Sequence, residues 1–131
     1  MKKIFLMIAL IMTFATYCKV VYVNSGATGS NNGTSWINAF ISLQSGLNAA
    51  VSGDEIWVAK GIYKPESSYG LGTNVRRYHY RMKNGVKIYG GFAGTESSVS
   101  ERVNFGSGET NGTVLSGDIG VVGDNTDNCY H

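Results

Sequence analysis

The sequence predicts an all-β chain of short strands stacked as coils of a solenoid, and three observations carry that expectation. Glycine supplies 18 of the 131 residues beside a single proline. Glycine at that level, mixed with Asn, Ser, Thr, Val and Tyr, suits many short strands joined by tight turns. Comparable β-runs start at Ile56, Val86 and Val114, at intervals of 30 and 28 residues, and a repeat of that length is what stacked coils produce. Only one stretch carries a convincing helical stripe, which excludes a helical bundle.

The first segment lies outside the predicted fold. Lys2 and Lys3 form a short positive region, and Ile4 to Ala15 is an almost unbroken apolar run. That run is shorter than the roughly 20 residues a membrane-spanning helix needs, but it suits the core of a secretory signal peptide. Thr13 and Ala15, or Thr16 and Cys18, can occupy the −3 and −1 positions of a cleavage site. Cleavage after Cys18 is preferred, because the strand-like run Lys19-Val20-Val21-Tyr22-Val23 begins there. Residues 1–18 are therefore read as a signal peptide, which places the chain outside the cell or on its surface. A retained N-terminal anchor is the alternative. An acylated Cys18 is a weaker one, because bulky Tyr17 stands where a small residue is expected.

Loss of residues 1–18 changes the charge balance. Of 11 basic residues Lys2 and Lys3 depart, leaving nine against nine acidic ones. A mature chain near neutrality lacks the electrostatic footprint of a nucleic-acid binder, and no transmembrane segment is expected in it. Cys18 departs too, so Cys129 remains alone and no internal disulfide framework is expected.

Residues 19–53 read as an N-terminal cap. Lys19 to Asn24 is a first strand, and Ser25 to Ser35 is an aperiodic Gly/Asn/Ser/Thr loop ending at Trp36. From Asn38 to Val51 the residues Phe40, Leu43, Leu47, Ala50 and Val51 recur at helical spacing. Asn38 is the expected N-cap and Gly53 the expected C-terminal stop. Residues 54–131 then read as successive short strands: Ile56-Trp57-Val58, Ile62-Tyr63, an alternating Tyr78 to Met82, Val86 to Tyr89, and Thr113-Val114-Leu115. Asn84-Gly85 between two apolar runs is also a hairpin signal, and a hairpin competes with stacking at that point. A solenoid's first coil leaves an open strand edge, and the amphipathic helix is expected to lie across it as a lid.

A resemblance sharpens this reading. Asn32-Gly33-Thr34-Ser35-Trp36, Leu43-Gln44, Gly53-Asp54-Glu55-Ile56-Trp57-Val58-Ala59 and Gly61-Ile62-Tyr63-Lys64-Pro65 resemble the N-terminal region of secreted bacterial right-handed parallel β-helix proteins. So do the segments from Met82 to Glu96 and from Leu115 to Gly120. These surface proteins share the pectate-lyase-like fold and are related to polymorphic outer-membrane repeat proteins. The resemblance runs from about Val21 to His131, and Asn128-Cys129-Tyr130-His131 matches the point where an apolar strand ordinarily follows. It implies a right-handed parallel β-helix, capped at its N-terminus and incomplete at its C-terminus, with further coils beyond residue 131. It implies export strongly and activity hardly at all.

Two constellations are candidates for chemistry. Arg76, Arg77, Arg81, Lys83 and Lys87 form a basic strip with no acid between Glu66 and Glu96. Its interleaved tyrosines, Tyr78, Tyr80 and Tyr89, offer ring faces to sugars while the cations meet carboxylates. Arg76, Arg77, Tyr78, Arg81 and Lys83 are thus the candidate polysaccharide contacts, and a solvated strand face is the competing reading. Asp118, Asp124 and Asp127 could offer oxygen ligands to Ca²⁺, although their spacing is not that of an EF-hand, and a solvated turn competes. No other cofactor is expected. His79 and His131 lack zinc-ligand spacing, Gly90-Gly91-Phe92-Ala93-Gly94 lacks the context of a phosphate loop, and no catalytic set emerges. The expected function is a non-catalytic surface or adhesive scaffold that contacts a polysaccharide or cell-surface glycan. The alternatives are a carbohydrate-active lyase or hydrolase with its catalytic residues beyond residue 131, and a protein-interaction module.

Overall fold

A computed structural model describes residues 17–106 and 108–129, so the expected signal peptide lies outside the described residues except for Tyr17 and Cys18. Five short strands and one helix follow in order: β1 (Val20–Val23), α1 (Leu43–Ala49), β2 (Glu55–Ala59), β3 (Gly61–Tyr63), β4 (Lys87–Phe92) and β5 (Thr113–Leu115). Two single-turn 3₁₀ segments lie at Val75–Arg77 and Val99–Glu101. All strand pairings are parallel. One sheet runs β1-β2-β4, with Val21 opposite Ile56 and Ile56 opposite Ile88. The second holds β3 and β5, with Ile62 opposite Val114.

This architecture corrects the expected all-β right-handed parallel β-helix. The described residues form a small mixed α/β arrangement of two small parallel sheets and one helix, not a solenoid. The periodicity argument required Ile56, Val86 and Val114 to stack in one column. Instead Val114 pairs with Ile62 in the other sheet, so the third run does not continue the first two. Neither sheet exceeds three strands.

Local chemistry explains the other departures. The helix begins at Leu43 with Ser42 as N-cap, not at Asn38. Asn38 instead holds the preceding loop: its side-chain oxygen accepts the Ser30 N–H at 2.9 Å, and its carbonyl accepts the N–H groups of Asn32 and Gly33. The helix stops at Ala50 rather than Gly53, because the next N–H, of Val51, is taken by the Asp54 carboxylate at 2.9 Å. Residues 78–82 form no strand. The Arg81 N–H donates to the side-chain oxygen of buried Gln44, so no hairpin forms at Asn84-Gly85. That turn, with Gly85 at φ +74°, feeds β4 alongside β2 in parallel.

The core lies between α1 and the sheets. Val21, Val23, Leu43, Leu47, Ala50, Ile56, Val58 and Tyr63 form one buried cluster. The helix packs against β1 and β2. The edge of β1 is closed by the loop before the helix: Tyr22 donates to Gly33 O, Phe40 donates to Tyr22 O, and Asn24 donates to Phe40 O. On the outer face, Tyr22, Trp36, Trp57 and Phe92 form a second, aromatic cluster. Trp57 and Phe92 stack at 4.9 Å, and the Trp36 indole N–H donates to Glu96 O.

Gly46 lies where α1 meets β1. A Cβ there would stand 2.6 Å from Cγ2 of Val23, a fully buried β-branched side chain with little freedom to move. Helix propensity alone favours Gly46→Ala by about 1 kcal/mol, whereas overpacking a filled core costs about 1–3 kcal/mol. The clash is expected to win. Gly46→Ala should lower stability by about 1 kcal/mol or more in urea unfolding, and a rise in the midpoint would contradict this packing.

Glu96 is 8% exposed, and its carboxylate accepts the N–H groups of Ala93, Gly94 and Thr95 at 2.6–3.0 Å. Burial pushes its pKa up, but hydrogen bonds from the Ala93, Thr95, Glu96 and Gly94 N–H groups outweigh burial and hold it below the usual carboxylate range. A depressed carboxylate stabilises the fold above its unfolded pKa and loses that contribution as pH falls through its folded value. Glu96→Gln should therefore melt lower than the wild type at pH 7, by about 1–3 kcal/mol for lost charge-assisted bonds. The gap should close below about pH 4, as read by thermal melts across pH.

Candidate functional site

One concavity on the described surface has a volume of about 460 Å³ and is lined by Leu71, Arg76, Arg77, Tyr78 and His79. A second hollow of about 210 Å³ adjoins it, lined by Pro65, Tyr78, His79, Tyr80, Leu115, Ser116, Gly117 and Cys129. Tyr78 and His79 line both, so the two are neighbours, and together they are called the Tyr78 groove.

Its walls follow from local structure. The Asn74 side chain accepts the Arg76 N–H at 3.0 Å and caps the turn Val75–Arg77, which sets Arg76 and Arg77 on one rim. Beyond it the His79 N–H donates to Ser67 O, and His79 Nδ1 lies 2.9 Å from Arg77 O. A carbonyl oxygen only accepts, so Nδ1 carries the hydrogen. The far wall arrives through the pairing of β3 with β5, which places Leu115 to Gly117 beside Pro65. The Cys129 N–H closes it on Gly117 O at 2.8 Å.

The five candidate polysaccharide contacts do different work. Arg76 points toward the acidic loop, where its guanidinium donates to Thr126 O and helps hold the Asp124 carboxyl low, behind the hydrogen bonds from the Thr126 hydroxyl and N–H. Arg77 is exposed, and among the described residues its guanidinium has no hydrogen bond or ion pair with another side chain. Tyr78 forms the shared wall. Arg81 leaves the groove and lies over the Tyr69 ring at 4.9 Å. Lys83 donates to Asn48 O at 2.8 Å and Ala50 O at 2.7 Å, so its cation satisfies carbonyls at the C-terminal end of α1. Arg81 and Lys83 border a separate hollow with Asn48 and Met82. The structure thus brings Arg76, Arg77 and Tyr78 together and places Arg81 and Lys83 elsewhere.

The three aspartates hold their own loop. Asp118 accepts the Gly123 N–H, Asp124 accepts the N–H and hydroxyl of Thr126, and Asp127 accepts the Val121 N–H. Among the described residues no group of three or more His, Cys, Asp or Glu side chains converges to hold a metal ion.

Leu71, His79 and Cys129 join the groove without having been offered as ligand contacts by the sequence, whereas Tyr80 was one of its interleaved sugar-stacking tyrosines. The alternation at Tyr78–Met82 was read as a strand. Burial raises the Tyr80 hydroxyl well above a tyrosine's ordinary value, with Glu66, Cys129 and Tyr63 adding to the effect. Burial likewise pushes the Cys129 thiol up, which keeps it protonated and a weak nucleophile. No carboxylate lines the groove. Comparison with protein-family models, with curated proteins and with solved structures returns no match to the chain.

Proposed function

We propose that the chain is an exported surface segment that holds an acidic polysaccharide in the Tyr78 groove without acting on it. The observation that carries this reading is the groove's chemistry: a tyrosine wall flanked by Arg76 and Arg77, with no carboxylate among its lining residues. A ring face accepts the C–H side of a sugar, and an exposed guanidinium donates two parallel hydrogen bonds to a carboxylate. Burial leaves the Tyr80 hydroxyl and the Cys129 thiol protonated, which suits binding by these two groups rather than turnover. Export rests on the charged and apolar pattern of residues 2–15. Among the described residues no helix is long and apolar enough to cross a membrane.

The test uses the full chain against immobilised polyuronates and neutral glucans of matched length. Binding to the polyuronate is expected, with Tyr78→Ala and Arg77→Ala each weakening it about tenfold, the equivalent of about 1.4 kcal/mol. The polymer's length should stay unchanged on incubation. Equal binding by wild type and both variants, or shortening of the polymer, would defeat the proposal.

A further inference from the structure

Lys19 immediately precedes β1. Tyr17 is 89% exposed and Cys18 is exposed, whereas the Lys19 N–H donates to Asp54 Oδ1 at 3.2 Å and the Lys19 carbonyl accepts the Glu55 N–H. Asp54 is only 2% exposed, and its second oxygen accepts the Val51 N–H. Among the described residues the one cation in ion-pair range is the Lys19 ammonium, 3.9 Å away on a side chain that is 57% exposed. An exposed lysine at that distance compensates a buried carboxylate poorly.

We propose that cleavage of the Cys18–Lys19 peptide bond supplies the missing charge, making the α-ammonium of Lys19 the counter-ion of Asp54. The inference rests on the export reading above. A signal peptidase hydrolyses the bond. Water's oxygen goes to the new Cys18 carboxyl group, and the nitrogen leaves as the Lys19 α-amine, which takes up a proton at neutral pH. The donor that stood 3.2 Å from Asp54 Oδ1 as a neutral amide is then a full cation at the same place. Both residues flanking the scissile bond on its leader side are exposed, so a peptidase reaches it without unfolding β1. Processing thereby strengthens the joint between the start of β1, the exit of α1 and the start of β2.

The sign of the pH effect follows. An α-amine paired with a carboxylate has its folded pKa raised above the ordinary value of about 8. Its stabilisation is present below that value and is lost as pH rises through the raised one.

The experiment exports the full chain with its own leader from a bacterial host, reads the mature N-terminus by mass spectrometry, and titrates the ¹³C-methylated α-amine by NMR. The expected results are a mature chain starting at Lys19 and an α-amine that titrates above the ordinary α-amine range. Asp54→Asn should return it to about pH 8. A variant with one glycine inserted between Cys18 and Lys19 leaves an amide at Lys19 and keeps the fold, so it should do the same if Asp54→Asn does not fold. A mature chain starting at any residue other than Lys19, or an α-amine titrating alike in the wild type and the insertion variant, overturns the inference and leaves export standing. A chain recovered uncut overturns the export reading with it.

Discussion

The buried carboxylate of Asp54 is the constraint through which the first half of the fold is assembled. Its two oxygens accept N–H groups from Lys19 and Val51, its own N–H donates to Val51 O, and its carbonyl accepts the N–H of Lys87. One residue thus joins the start of β1, the exit of α1, the start of β2 and the start of β4. Burying a charge is costly unless it is paired and hydrogen-bonded, so Asp54 tolerates only the arrangement in which these segments meet. The parallel register of β1, β2 and β4 follows, because all three strands start from this level.

The two outer edges of the larger sheet are handled differently. On the β1 side the loop carrying Gly33 and Phe40 supplies backbone partners, so its N–H and C=O groups are satisfied by irregular chain. On the β4 side no further strand pairs among the described residues. Instead the register slips between Trp57 and Ala59, with Gly91 at φ +84° directly against Phe105. Arg102 then caps Gly90 O at 2.7 Å while its guanidinium lies over Tyr89, Phe92 and Phe105. A bulge and a charge at an edge are the devices by which proteins discourage edge-to-edge pairing. The same bulge turns Phe92 inward onto Trp57 and Trp36, so edge protection and the aromatic cluster share one cause.

Local patterns were legible in the sequence, and long-range choices were not. The strands at Val20–Val23, Glu55–Ala59, Gly61–Tyr63 and Thr113–Leu115 announced themselves by β-branched and aromatic runs bounded by glycine. The helix was visible through Leu43 and Leu47. Its boundaries were not, because Asn38 and Val51 are claimed by loop contacts that no helical stripe reveals. The near-equal spacing of Ile56, Val86 and Val114 suggested one column of strands. Which neighbour a three-residue strand selects depends on side chains from distant segments, and Thr113 decides it here. Its hydroxyl bonds Val58 O and Ala59 O and accepts the Gly91 N–H, which seats β5 against the end of β2 and beside β3. In the basic strip, cationic character was legible but individual roles were not, since the helix end that occupies Lys83 and the ring beneath Arg81 come from elsewhere in the chain.

The groove inherits its properties from the weakest part of the molecule. Its far wall depends on the β3–β5 pair, three residues per strand, whose outward side chains Ile62 and Val114 are 64% and 42% exposed. A two-stranded ribbon of that length is marginal alone, and it is held through Tyr63, which donates to Ala59 O and accepts the Ser25 N–H. The near wall is a capped turn and extended chain rather than a strand. A site built this way has low local stability and can adjust to a ligand. That suits contact with a repeating polymer, where many modest interactions add, better than the fixed sub-ångström geometry that catalysis requires. Arg76, engaged with the Thr126 loop, ties the near wall to the segment ending at Cys129. That leaves Arg77 as the cation of the rim turn free to meet a ligand.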